Sequence, residues 1–231
     1  DQTMKLLDDH LFKPSQLSKA QQMQITEHFK RELFPILPQK EQFHYHLNFR
    51  LLKDGNLSLP NAMALPSGEI ILTDKFVQLC ADTDELDAIL LHEVGHIVHR
   101  DSLTTLIEGT FISVSVMIAL GDLSGFADMG VGLGSLLLNM HYSRDHEARA
   151  DKLAFDHMVR HSMDPLAFAS IMGKMERYMQ KALGEEKPLD ANEYISTHPQ
   201  TKGRIEMAKR YSECFKNNDI SEKCLSISKK P

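Results

Sequence analysis

The sequence is poor in cysteine, holds no dense basic run and never stays apolar for long, and each shortage removes a class of function. Three cysteines in 231 residues, none in a CxxC pair, rule out a zinc ribbon. Cys214 and Cys224 flank a polar stretch near the C-terminus and could pair in an oxidising compartment, while Cys80 lies in an apolar run and packs as a small hydrophobe. A net charge of −6 without a Lys/Arg cluster offers nucleic acid no phosphate-binding stripe. The apolar runs 111–120 and 131–140 fall short of the roughly 18–20 residues that a spanning helix needs, and Asp122 and Asp128 stand between them. Position 1 is Asp, and no signal peptide follows it. The expectation is a processed or trimmed form, in which any native anchor or targeting segment would be invisible. Internal repeats and low-complexity blocks are absent. With 42% hydrophobic and 25% charged residues, the chain reads as one globular domain, 1–231, able to bury a full core.

The most informative stretch is DTDELDAILLHEVGHIVHRD, residues 82–101. Asp82 can cap a helix, with Glu85 three residues on closing a capping box. Leu86, Ile89, Leu90, Val94, Ile97 and Val98 recur at helical spacing, which predicts a helix buried along one side. Within it, His92 and His96 stand four apart, so both imidazoles share a face and can bind one Zn²⁺. Glu93 is placed to act as general base toward a metal-activated water. An H-E-x-x-H match arises by chance in roughly one chain in 25 of this composition. The motif therefore needs a third ligand elsewhere before it means a site.

The rest of the chain predicts an α+β fold, mainly α-helical. Residues 15–34 carry good helix formers with an incomplete apolar stripe (Leu17, Met23, Ile25, Phe29, Leu33) that Pro35 and Pro38 end. From Gln42 to Leu52 the period becomes two, a half-buried strand with His44 and His46 on its solvated face. Asp54-Gly55 turns the chain, and NAMALPSGEIILT (61–73) reads as strand, turn and strand, so that 42–73 makes a small antiparallel sheet beside the motif helix. Thr73 or Asp74 caps a short helix running to Cys80. Residues 103–140 fit a helical hairpin or glycine-rich lid over the site; simple core packing, or an apolar hairpin that touches membrane or unfolded substrate, fits equally. Helices follow at 143–160, from the Asp164-Pro165 start to about Leu183 with core-filling Met172, Met175 and Met179, and from Pro199 to about 216.

Two histidines need one more protein ligand, with an open position left for water. SRDHEARAD (143–151) offers Glu147 as that ligand, and Asp151, four residues on, as the carboxylate that holds the outer N–H of a ligating histidine. His146 competes as a ligand but lies about 100° around the helix from Glu147. Taken alone, Glu147 and Asp151 would read as an exposed charged face with Arg144 and Arg149.

Four segments in order, NAMALPSGEIILTD, HEVGHIVHRD, SRDHEARAD and STHPQTKGRIE, resemble family forty-eight of the metallopeptidases, which includes the heat-shock protease HtpX and the type-I CAAX prenyl endopeptidase. The likeness covers most of residues 40–210. It implies a zincin fold of the gluzincin type holding one Zn²⁺, with His92, His96 and Glu147 as ligands, Glu93 as base and Asp151 behind the ligands. By the same resemblance His198 and Arg204, in the STHP stretch and helix of 196–216, lie close to the metal. Either could stabilise an oxyanion, or His198 could ligate zinc in a closed resting state. Asn61, Ala62, Met63 and Ala64 fall on the edge strand along which this family holds extended polypeptide.

The transmembrane helices of the best-known members have no counterpart here. The likeness is therefore to soluble catalytic domains of the bacterial cell envelope, on its periplasmic face and near the membrane, and points away from CAAX processing. The implied activity is endopeptidase cleavage of misfolded or unassembled envelope proteins. The alternative is an envelope chaperone or assembly factor with rare proteolysis. A purely structural zinc site is disfavoured by Glu93, since such sites have four ligands and need no base.

Overall fold

The computed structural model describes residues 2–38, 43–53, 59–109, 142–183, 198, 202–219 and 221. The 111–140 segment, Pro199 and Cys224 lie outside that set. Helix α1 (Gln2–His10) and the short strand β1 (Phe12–Pro14) precede helix α2 (Lys19–His28). Ser18 caps α2 reciprocally with Gln21, each backbone N–H donating to the other's side chain. The expected helix over 15–34 is thus shorter. Its last turn, Phe29–Leu33, widens to a π-helix and tightens to a 3-10 turn over Phe34–Ile36, where Pro35 cannot continue an α-helix. Phe29 and Leu33 are buried, as the stripe implied, but no residue of α2 itself is.

Strands β2 (His46–Leu52), β3 (Ala62–Ala64) and β4 (Glu69–Thr73) join β1 in a four-stranded sheet of order β1-β2-β4-β3. Tyr45 and Phe49 face inward while His44 and His46 are exposed, as the alternation requires. The hairpin is formed: β3 runs antiparallel to β4, and Gly68 turns between them at φ +94°. That position takes only glycine, because a Cβ there would lie 2.2 Å from His44 O. The sheet is nevertheless mixed, not antiparallel throughout. β2 pairs with β4 in parallel, because the chain passes through β3 on the far side of β4 before returning in the direction of β2.

Helix α3 (Asp74–Leu79) is capped by Thr73, whose Oγ1 accepts from Phe76 N. Cys80 follows it, half-buried, with its thiol pushed up to about 12 by burial and by Glu85. Helix α4 (Thr83–His99) carries the HEVGH motif and is capped by Asp82, which accepts from Glu85 N at 3.0 Å. The second half of the expected capping box is not made. The Glu85 carboxylate goes instead to Ala81 N, Ser170 Oγ and Lys174 Nζ, anchoring the helix start to helix α6 (Leu166–Leu183). Burial on α4 also exceeds one side: every residue from Glu85 to Ile97 is buried. This is the pattern of a helix enclosed on all faces, here by β3, α6 and helix α5 (Arg144–Arg160).

Ser143 caps α5 through His146 N, and helix α7 (Lys202–Lys216) completes the layer. Phe155 of α5, Phe168 of α6 and Tyr211 of α7 interlock at centroid separations of 5.0 and 5.3 Å. Met172, Met175 and Met179 fill this core as expected. A smaller cluster of Met4, Leu7, Phe12, Met63, Leu65 and Ile71 covers the opposite face of the sheet beneath α1. The protein is therefore mainly helical with one small sheet, a zincin-like arrangement with the motif helix at its centre. No described helix is long and apolar enough to cross a membrane. Cys214 is disulfide-bonded.

Candidate metal centre

Gly95, inside the motif, sets the distance between α4 and α5. A Cβ on it would lie 2.8 Å from Ala150 Cα and 3.0 Å from Ala150 O, so glycine alone lets the two backbones touch. That contact carries Glu147 to the face of α4 that presents His92 and His96. Buried atoms of His92, His96, Glu147 and His198 then lie within 4.8 Å of one another and could hold a metal ion. His92 Nε2 and His96 Nε2 are 3.0 Å apart, and His92 Nε2 and His198 Nδ1 are 3.2 Å apart. Glu147 Oε1 is 3.1 Å from His198 Nδ1 and 3.5 Å from His96 Nε2.

The donor set fits zinc. Each motif histidine gives its Nδ1 to a carboxylate: His92 to Asp151 and His96 to Asp101, both at 2.9 Å. With Nδ1 engaged there, each neutral ring would turn its Nε2 lone pair inward, the arrangement a cation between them requires. Four ligands at about 2.0–2.1 Å in a tetrahedron stand about 3.4 Å apart, close to the 3.0–3.5 Å separations found.

The carboxylates are themselves held. Arg204 of α7 binds Asp151 through Nε and a terminal nitrogen, both at 2.7 Å, and Glu147 Oε2 through Nη1 at 2.6 Å. Burial alone would raise the Glu147 and Asp151 carboxyls, but the buried guanidinium outweighs it and holds both low, Glu147 well below the usual carboxylate range. Burial and Arg204 together lower His92. Burial also works against a charged His96, yet Asp101 and Glu147 push it up to about 9.

Glu93 is fully buried, and among the described residues neither of its carboxylate oxygens accepts a hydrogen bond. His198 Nε2 stands 3.3 Å from its Oε1. A buried carboxylate kept without donors is costly in a core, which suits a group that works on a transient partner. Glu93 lines a small cavity with Ala62, Met172, Met175 and His198, walled largely by apolar surface.

The profile of peptidase family M48 matches residues 37–212, a span that contains every residue of this cluster. The chain belongs to peptidase family M48. It is 31% identical over 153 residues to the mitochondrial metalloendopeptidase OMA1 of Schizosaccharomyces pombe, covering 63% of this chain and 42% of that protein. Against the protease HtpX homolog of Salinibacter ruber it is 27% identical over 185 residues, 63% and 62% of the two chains. Against the metalloprotease LoiP of Escherichia coli the figures are 25% over 138 residues, 57% and 54%. The chain spans about half the length of the curated relatives it matches.

On this M48 scaffold the expected residues converge. Arg204 does reach the centre, where its guanidinium binds Glu147 and Asp151, lies over the Phe168 ring and comes within 3.3 Å of His92 Nε2. Of the edge residues, Thr73 N–H donates to Asn61 O and Leu65 N–H to Glu69 O, so 61, 63 and 65 turn their backbone toward β4. Ala62 and Ala64 turn theirs to the open edge. Asp101 was not foreseen as a partner of His96. Arg100, left-handed at φ 57°, reverses the chain after α4 and folds Asp101 back under the ring. Tyr142 was also missed; its ring stacks on His96 at 4.0 Å and 10°. A carboxylate soon after the second histidine was the available signal for the first. Nothing local marks the second.

Proposed function

We propose that this chain is a zinc-dependent endopeptidase whose general base is Glu93. The observation that carries the reading is the buried, unbonded Glu93 carboxylate beside inward-facing nitrogens of two histidines. Zn²⁺ held by His92, His96 and Glu147 would supply Lewis acidity, acidifying water and polarising the scissile carbonyl. Glu93 takes the proton from the attacking water and passes it to the leaving amine. Asp151 and Asp101 keep both imidazoles in the tautomer that turns Nε2 inward. Arg204 neutralises Glu147 and Asp151 so that both stay ionised without water.

His198 supports a two-state site. Its Nδ1 stands among the other three ligand atoms, giving a fully protein-ligated set, whereas zinc hydrolases keep one position open. In this resting arrangement His198 blocks water. When it withdraws, its ring is free to donate to the developing oxyanion. His198→Ala therefore separates two roles: higher basal cleavage marks a blocking ligand, lower kcat an oxyanion donor.

The substrates proposed are unfolded or unassembled polypeptides of the bacterial cell envelope, bound in extended form along β3. The disulfide at Cys214 supports an oxidising compartment, and the likeness to bacterial HtpX and LoiP proteases supports the envelope. Glu93→Gln tests the mechanism. It should cut cleavage of an unfolded casein substrate by about 10²–10⁴-fold while zinc content stays at one per chain. Unchanged turnover sinks the proposal, and retained suppression of aggregation without cleavage would favour a chaperone.

A further inference from the structure

β3 is the outer strand of the sheet, buried throughout, and its unpaired edge carries the backbone groups of two of its residues, Ala62 and Ala64. They are treated differently. Ala62 lines the cavity that contains His92 and Glu93. The carbonyl of Ala64 is already taken: Ser102 Oγ donates to it at 2.9 Å. Ser102 Oγ is also 2.6 Å from Tyr142 Oη. A serine hydroxyl has one proton, and a carbonyl can only accept, so Tyr142 must be the donor in that second bond. The result is a one-way chain, Tyr142 O–H to Ser102 O–H to Ala64 C=O. All three residues are buried, and the tyrosine ring at its head lies flat on His96.

We propose that Ser102, held by Tyr142, is a register stop for extended substrate: it closes the β3 edge at Ala64 and confines backbone pairing on the carbonyl side to Ala62. This rests on the peptidase reading and deepens it. On one side of a strand the pairing groups recur every second residue. An incoming peptide that slipped by two residues would need the Ala64 carbonyl, where it would have to compete with the hydroxyl of Ser102. A slipped peptide would bring the wrong bond to Glu93. Ser102 and Tyr142 are positioning residues here, acting through β3 and through the face of His96. Residues 101 and 102 thus have two anchors, Asp101 on the metal ligand and Ser102 on the substrate strand.

The test uses a peptide that the wild-type protein cleaves at one bond, with each non-scissile amide replaced in turn by an ester. An ester removes one N–H donor. Binding is read as Kd on the zinc-loaded Glu93→Gln protein and as KM on the wild type. One ester, at the amide that pairs with Ala62 O, should weaken binding about fivefold, and the ester two residues along toward Ala64 should be silent. In Ser102→Ala the silent position should become sensitive, and new cleavage sites should appear displaced by two residues, with zinc content unchanged. Ser102→Thr, which keeps the hydroxyl, should restore the single site. Two sensitive amides spaced by two in the wild type overturn the proposal, as does an unchanged cleavage map in a folded Ser102→Ala protein. If that variant does not fold, the ester scan on the wild type decides alone. Absence of any cleavage by the wild type would instead sink the peptidase reading.

Discussion

His92 and His96 stand one turn apart on the same helix, each with a carboxylate at 2.9 Å on Nδ1 and an arginine 2.7 Å behind that carboxylate. On paper the two triads are equivalent. They are not equivalent electrostatically, because His92 is lowered and His96 is raised to about 9. Burial and then Arg204 lower His92, whereas at His96 the hydrogen bonds to Asp101 and Glu147 outweigh burial. Arg204 is 7% exposed and presses its charge on His92 through a dry interior, while Arg149 is 52% exposed and its charge is screened by water. His96 also faces Glu147 and Glu93 without a buried cation of its own.

The largest effect should come from the dry triad. Arg204→Met leaves Glu147 and Asp151 as uncompensated buried charges and should cost about 3–5 kcal/mol of stability, read as a drop in Tm. It should also move acid unfolding to higher pH. Both carboxyls are held below their ordinary values, so the stability they add is present above about pH 4.3 and is lost as pH falls through their folded pKa. A loss no larger than that of an Arg149 variant would break the comparison.

Next come the carboxylates. Asp151→Asn and Asp101→Asn should each lower zinc affinity by about 10–100-fold, measured by competition with a chromophoric chelator. Equal losses would say that ring orientation dominates, and a larger loss at Asp151 that the buried charge does. In the metal-free protein the two histidines should separate by pH. His96, raised, adds stability that is complete below about pH 6.5 and disappears as pH climbs through about 9. His92, lowered, acts oppositely: its contribution holds above its unfolded pKa and is lost as pH falls through the folded value. Calorimetry of chelator-treated protein should show Tm declining from neutral pH toward 9, and Asp101→Asn should flatten that decline. The smallest effect belongs to Arg149→Ala, whose exposed guanidinium should contribute below about 1 kcal/mol.

The same contrast explains what could be read from the sequence. Local periodicity marked α4, the β3–β4 hairpin and α5, because each follows from spacing within one segment. The i,i+4 rule placed Glu147 and Asp151 together, since a helix fixes that geometry by itself. Asp101 obeys no such rule: it reaches His96 only because Arg100 adopts a left-handed conformation and bends the chain. The parallel pairing of β2 with β4 was hidden for a similar reason, as strand order is a tertiary choice with no local signature. Arg204 was placed by resemblance, but its commitment to two carboxylates depends on how α7 docks between α5 and α6.

The approach at Gly95 carries a further consequence. Because it is main chain against main chain, the spacing of the two ligand-bearing helices is independent of what any ligand is. A single methyl group at position 95 would displace α5 as a body, carrying Glu147, Asp151 and Arg149 with it. The spacing of the two helices therefore has a tolerance smaller than one methyl group.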